Sequence, residues 1–155
     1  MEFMRRFFQL KPQWMQKITE KLPKVDYNVL HIRLGDEQLL GNPSSSKDED
    51  YAILYDYLKA YFENNHLLLL SDSPSFREYA KKKNNFYILP IKPTHFGIET
   101  DTDSLFDIIT EFFSMQKALI IYSYSVYNWD SGFAKAASLI FNVPMVRIPR
   151  IEAWK

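Results

Sequence analysis

Apolar positions along this chain alternate between two periods, and each change of period marks an element. Trp14, Met15, Ile18 and Leu22 fall on one side of a helix that Pro12 suits as a first-turn residue. Tyr27 to Leu34 is an apolar run of strand length ending at a glycine turn. Asp48-Glu49-Asp50 open a second helix, with Ile53, Leu54, Tyr57, Leu58 and Tyr61 as its buried stripe. His66 to Ser71 reads as a strand, and Ser73-Pro74 cap a third helix that runs through Phe76, Tyr79 and Ala80. Phe86 to Leu89 is a strand, followed by an irregular segment from Pro90 to Thr102. Thr102 or Asp103 caps a fourth helix containing Leu105, Ile108, Ile109, Phe112 and Phe113. Ala118 to Ser123 is a strand, Ser131 to Phe141 a helix, and Pro144 to Ile148 a short last strand. Strands separated by helices of this length predict right-handed crossovers and a parallel sheet of about five strands, with helices on both faces.

That expectation is an α/β, Rossmann-like domain over residues 1–155, with a leading helix in 1–24, a core in 25–148 and a tail in 149–155. A chain of 155 residues is long enough to bury a real core. Its 19 basic and 19 acidic residues cancel, which gives no bulk attraction to nucleic acid or an acidic membrane. Twelve Phe and ten Tyr favour a packed body over disorder. The absence of cysteine excludes disulfides and thiolate chemistry; it suits the cytoplasm without fixing the compartment. The first eight residues lack the apolar core of a signal peptide, and no run of about 18 apolar residues is present, so the chain as given reads as soluble.

Chemistry concentrates in His31-Ile32-Arg33-Leu34-Gly35-Asp36. Side chains alternate along a strand, which puts His31 and Arg33 on one face and Leu30, Ile32 and Leu34 on the other. A cation and an imidazole are thereby presented at the carboxyl end of a strand, where open α/β sheets bind ligands. An anion would satisfy Arg33 there, and so would an ion pair with Asp36 across the turn. Tyr127-Asn128-Trp129-Asp130-Ser131-Gly132-Phe133-Ala134 is the second such stretch. With Ser131 as N-cap, the Gly132 and Phe133 amides are free at a helix start, and Gly132 lets a ligand approach the backbone. Amides, hydroxyl and helix dipole together suit a phosphate, although a serine here also serves simply to cap its own helix. Of four glycines, Gly35, Gly97 and Gly132 fall in turns on the same rim, and Gly41 belongs to a Ser-rich loop from Gly41 to Lys47. Neither a three-glycine dinucleotide fingerprint nor a Walker loop occurs, which argues against nicotinamide chemistry.

His31 to Asp36 resembles the His-x-Arg-x-(Gly/Thr)-Asp motif of the fucosyltransferase superfamily that includes the α1,2-, α1,6- and protein O-fucosyltransferases. Leu70-Ser71-Asp72-Ser73-Pro74-Ser75-Phe76-Arg77 is similar to its second motif, a strand ending in Ser/Thr-Asp before a helix. Glu111 to Gln116 is similar to its Asp-x-x-x-Leu-Ser segment, with Glu standing for Asp, and Ser131-Gly132-Phe133-Ala134 resembles its Ser-Ser-Phe-Ser element. The four occur in the family's order, with Val126 to Asp130 inserted ahead of the last. The resemblance implies the donor half of a GT-B glycosyltransferase that binds GDP-fucose and transfers fucose to a glycan or protein hydroxyl, with no metal or other cofactor. Under it, Arg33 holds the β-phosphate and steadies the departing GDP, with Ser131 and the Gly132 and Phe133 amides on the same phosphate. His31 and Glu111 face the guanine, Asp72 supports the nucleotide site, and Gly35 belongs to the first motif. Displacing a diphosphate calls for charge stabilisation of this kind on the leaving group.

The family's enzymes carry a further N-terminal acceptor domain, so the chain is expected to be either a fragment of a longer enzyme or a short form that binds nucleotide without the full active site. The alternative function is accordingly a non-catalytic nucleotide- or partner-binding module. Asp36, Glu37 and His95 are candidate bases by rim position only. Asp48-Glu49-Asp50 spells the Asp-x-Asp of metal-dependent glycosyltransferases, but it starts a helix, where acidic residues favour the dipole, instead of ending a strand. His31, His66 and His95 are too dispersed for a zinc signature, with His66 read as a solvated strand start. Lys81 to Lys83 read as a solvated helix end; Arg147 and Arg150 flank the last strand within reach of a phosphate, with a tail salt bridge the favoured reading. No Ser-His-Asp order or acidic nucleophile motif supports a hydrolase or phosphatase.

Overall fold

Why the chain folds as it does begins with β1 (Asn28–Arg33), the central strand of a five-stranded sheet. The computed structural model describes residues 9–35, 47–62, 66–91 and 101–152. Around β1 they form α1 (Pro12–Lys21), α2 (Lys47–Tyr61), β2 (Leu67–Ser71), α3 (Pro74–Lys83), β3 (Tyr87–Ile88), α4 (Thr102–Ser114), β4 (Ile121–Ser125), α5 (Gly132–Phe141) and β5 (Met145–Arg147). Every strand pair is parallel and the order is β3-β2-β1-β4-β5. The sequence expectation of a Rossmann-like α/β fold is thus met.

Both faces of β1 are covered. Leu30, Ile32 and Leu34 pack with Tyr51, Leu54, Tyr55 and Leu58 of α2 and Phe76 and Ala80 of α3. Val29, with Leu68, Leu70 and Ile121 of the neighbouring strands, packs under Ile18 of α1, Phe113 of α4 and Ala134 and Ala137 of α5. Each fully buried aliphatic or Phe side chain contributes about 1.5–3 kcal/mol, so a sheet buried on both faces is the main source of stability.

The topology also locates a crevice. From β1 the chain moves outward through β2 to β3, with α2 and α3 on one face. It returns along the other face through α4 to β4, on the far side of β1, and α5 stays on that face. The connections leaving β1 and β4 therefore diverge, which opens the sheet's carboxyl edge between those two strands, where ligands bind in such sheets.

Several boundaries differ from the sequence reading. The buried stripe of α2 is turned: Ile53 is 49 % exposed while Tyr51 and Tyr55 are buried. Tyrosine bodies fill the core there because their hydroxyls are served, Tyr55 by a 2.6 Å hydrogen bond from Asn85 Nδ2. Leu105 of α4 is also exposed, and that helix is capped one residue earlier than expected, by Asp101, which accepts from the Ser104 amide at 2.7 Å. β4 runs over Ile121–Ser125, later than the expected Ala118 to Ser123, and follows a 3-10 turn, Met115–Lys117. In its register Ser123 and Ser125 lie level with His31 and Arg33.

Candidate functional site

Parallel pairing sets the site's floor. Ser123 lies beside His31 and Ser125 beside Arg33, and on the other side Leu70 lies beside His31. Neighbours in register share a sheet face, so His31, Arg33, Ser123 and Ser125 all sit on the α5 side of the sheet. β4 reads Ile-Tyr-Ser-Tyr-Ser, and the alternation sends its tyrosines to the α2 side and small hydroxyls to the crevice.

Asp72, just past β2, shapes the turn after Arg33. Its Oδ1 accepts from the Leu34 amide at 2.7 Å and its Oδ2 from the Gly35 amide at 3.0 Å. Asp72 is thus a positioning residue for the Arg33 turn. Gly35 suits this turn in two ways: its φ is +56°, and a Cβ there would run into the Tyr127 ring.

The segment between β4 and α5 forms the opposite wall. The Val126 amide bonds the Arg33 carbonyl at 3.1 Å, and the Tyr127 amide bonds Ser125 Oγ at 3.2 Å. From outside, Arg147 donates to the Tyr127 carbonyl at 3.2 Å and lies 3.3 Å from the Asp130 carboxylate, while Arg150 donates to Asn128 at 2.7 Å. The salt bridge expected of this tail is therefore made by Arg147, and it braces the loop. The Arg33 guanidinium lies 5.6 Å from the Tyr127 ring centre, and Tyr127 stacks on Trp129 at 4.8 Å.

Ser131 occupies the N-cap of α5, yet its side chain makes no capping bond, and its Oγ is buried with no partner. The simple capping role is thus absent. Beside it Gly132 is exposed, and a Cβ there would meet open space. The first amides of α5 have no intrahelical acceptor, so the positive helix end faces an accessible backbone. Arg33 Nε, His31 Nδ1 and Ser123 Oγ are likewise buried without partners among the described residues. Each such atom costs free energy unless a ligand or water meets it. These four belong to β1, β4 and the start of α5; Asn28 Oδ1, Tyr124 Oη and Asp130 Oδ1 are also buried without a hydrogen-bond partner among the described residues.

Charge is distributed unevenly around it. Burial lowers the His31 pKa to about 4; Asp72 pulls the other way and Arg33 adds to the lowering, so the imidazole is neutral at pH 7. Its ring lies 6.0 Å from that of Phe133, which in turn meets Phe112 edge-on at 5.3 Å. Glu111, on α4, is pushed up to about 7 chiefly by burial, against the pull of Arg77, with Asp107 and Asp72 adding to the rise. Its Oε1 accepts from Arg77 Nη1 at 2.6 Å. Sequence reading set Glu111 among the site residues and missed Arg77 as its counterion.

Of the sequence candidates, the structure gathers His31, Arg33, Gly35, Asp72, Ser131, Gly132 and Phe133 at the crevice, and ties Glu111 to Arg77 behind it. Asp36, Glu37, Gly41, Gly97 and His95 lie outside the described residues. Asp48, Glu49 and Asp50 fall in the first turn of α2, as expected for dipole-favouring acids. Among the described residues no three His, Cys, Asp or Glu cluster to hold a metal ion, and no helix is long and apolar enough to cross a membrane. His66 and Lys81 to Lys83 are exposed. A groove of about 470 Å³ between α3 and α4, lined by Arg77, Lys81, Asp103 and Asp107 among others, lies apart from the crevice.

Compared with protein-family models and with curated proteins, the chain matches none of either.

Proposed function

We propose that the crevice between β1 and β4 binds the diphosphate of a nucleotide sugar, and that the chain is the donor domain of a fucosyltransferase-like glycosyltransferase using GDP-fucose. The reading is supported by the placement of Arg33 at the end of β1 and of the open start of α5 after the neighbouring β4, with Arg33 Nε and Ser131 Oγ both buried without partners. A guanidinium fork and helix amides are the groups that recognise phosphate oxygens without a metal. Arg33 holds the β-phosphate, and Ser131 with the Gly132 and Phe133 amides holds the oxygens that remain. As the bond between the sugar's anomeric carbon and the phosphate oxygen breaks, the electron pair stays on GDP. Arg33 and the helix end stabilise that growing charge where it develops. His31, neutral, donates or accepts a single hydrogen bond at the base. The oxygen of a glycan or protein hydroxyl forms the new bond to the anomeric carbon, and its proton passes to water.

One observation favours a second reading, a module that binds the nucleotide without transferring sugar. Three described carboxylates at or near the crevice are engaged, Asp72 by two amides, Glu111 by Arg77 and Asp130 by Arg147, which leaves none as a ready base. Turnover of GDP-fucose with a hydroxyl acceptor separates the two readings, since the module binds but does not release fucose.

Both readings require GDP binding. GDP at about a hundredfold its Kd should stabilise the native chain by ~2.7 kcal/mol, a rise in Tm on the order of 5 °C. ADP and UDP should raise it less, and the GDP shift should survive EDTA. No shift with any nucleoside diphosphate at millimolar concentration sinks the reading; a shift abolished by EDTA and restored by Mn²⁺ moves the site to a metal.

A further inference from the structure

Trp129 is 61 % exposed, more than any other large apolar side chain among the described residues. It is nevertheless held in place. Its ring stacks on Tyr127 at 4.8 Å with the planes 19° apart. Tyr127 is itself fixed by the Gly35 turn on one side and the Arg33 guanidinium on another. The backbone around the pair is braced by Arg147 at Tyr127 and Asp130 and by Arg150 at Asn128. A rigid indole left in water gains nothing for the fold, because its apolar area stays hydrated. Such a ring is instead pre-organised for a partner, with little ordering entropy left to lose on binding.

Position identifies the partner. Trp129 lies two residues before Ser131, so its Cα is within about 7 Å of the start of α5 by the length of trans peptides. That is the reach of a ring bonded directly to a phosphate held there. The crevice also has unlike ends. The inner end has buried His31 against half-buried Phe133, which packs on Phe112 of α4. The outer end, at Trp129, is open to solvent. A sugar that is to meet a hydroxyl acceptor belongs at the open end, and the base at the closed one.

We propose that Trp129, backed by Tyr127, is the stacking platform for the sugar ring of the nucleotide-sugar ligand. This inference rests on the donor-site reading above and adds the residue that tells the nucleotide sugar from the bare nucleotide. The apolar C–H face of a deoxyhexose lies against the negative face of the indole, which attracts polarised hydrogens.

Calorimetric titration of the full chain with GDP and with GDP-fucose, for the parent and for Trp129→Ala and Trp129→Phe, tests it. Trp129→Ala should weaken GDP-fucose roughly tenfold and leave GDP unchanged, while Trp129→Phe keeps most of the affinity for both. GDP-fucose should also quench the parent's tryptophan emission more than GDP does, a difference that vanishes in Trp129→Phe. If Trp129→Ala binds both ligands as the parent does, the platform carries no sugar. An equal loss for both ligands makes Trp129 a support for the loop or the base, and the inference falls. A parent chain that binds neither ligand overturns the donor-site reading itself, and the platform with it.

Discussion

Arg33 and Arg77 occupy opposite situations in one fold. Arg77 is 3 % exposed and fully engaged: Nη1 bonds Glu111 at 2.6 Å, and Nη2 reaches the Leu89 and Ile91 carbonyls at 3.4 Å. Arg33 is half-buried, lies over the Tyr127 ring, and keeps Nε buried with no partner. Burial by itself does not distinguish a structural cation from a binding one. Whether its donors are used does, because unmet donors are tolerated only where something else meets them. Arg77 therefore ties α3 to α4 and the end of β3, while Arg33 keeps a donor unmet.

The largest expected effect is on the structural side of this contrast. Arg77→Ala leaves Glu111 buried without its cation and should cost about 3–5 kcal/mol in denaturant unfolding. The loss should be largest above pH 7, where Glu111 is ionised, and should fall below that range by pH 6, where Glu111 is mostly protonated already. What remains folded should bind GDP as the parent does. A loss below about 1 kcal/mol would make the pair incidental to the fold.

Acid titration sharpens the comparison with a smaller effect. His31 has a native pKa of about 4 against 6.5 in the unfolded chain, so the unfolded state binds more protons between those values. Its contribution is fully present above pH 6.5 and is lost as pH falls toward 4. Glu111 is the reverse: raised from 4.5 to about 7, it favours the native state most below pH 4.5, and that gain is lost as pH rises through 7. The two slopes oppose each other between pH 4.5 and 6.5. His31→Gln should uncover the Glu111 slope, so the variant's stability relative to the parent rises by on the order of 2–3 kcal/mol from pH 6.5 to 4. A relative stability independent of pH would mean that His31 is not held neutral by burial.

Much of the site was legible because strand alternation is a local rule. His31 and Arg33 on one face, with Leu30, Ile32 and Leu34 on the other, follow from a period of two. So does the Ser-Tyr alternation of β4, although Ser125 lies beyond the strand expected from Ala118 to Ser123. Ser73 as the N-cap of α3 was equally local: its Oγ accepts from the Phe76 amide at 3.1 Å. Tertiary relations were not legible. Nothing in the spacing joins Arg77 to Glu111, 34 residues away, or sets Tyr127 against Gly35. The turned stripe of α2 reflects which tyrosine hydroxyls find partners, and periodicity does not record that. Strand order, which makes β1 and β4 neighbours at the switch point, is set by the global wrapping of the chain and is invisible to any window of residues.

The central claim is that Arg33 meets phosphate, and Arg33→Lys titrated with GDP and with guanosine tests it most directly. Lysine keeps the charge and loses the planar fork. Loss of one charge-assisted contact should weaken GDP by about 1.5–3 kcal/mol, roughly ten- to a hundredfold. Guanosine, which has no phosphate, should bind variant and parent alike, and the unfolding midpoint should stay where it was. Unchanged GDP affinity in a destabilised variant would contradict the account, and Arg33 would then be a structural arginine like Arg77.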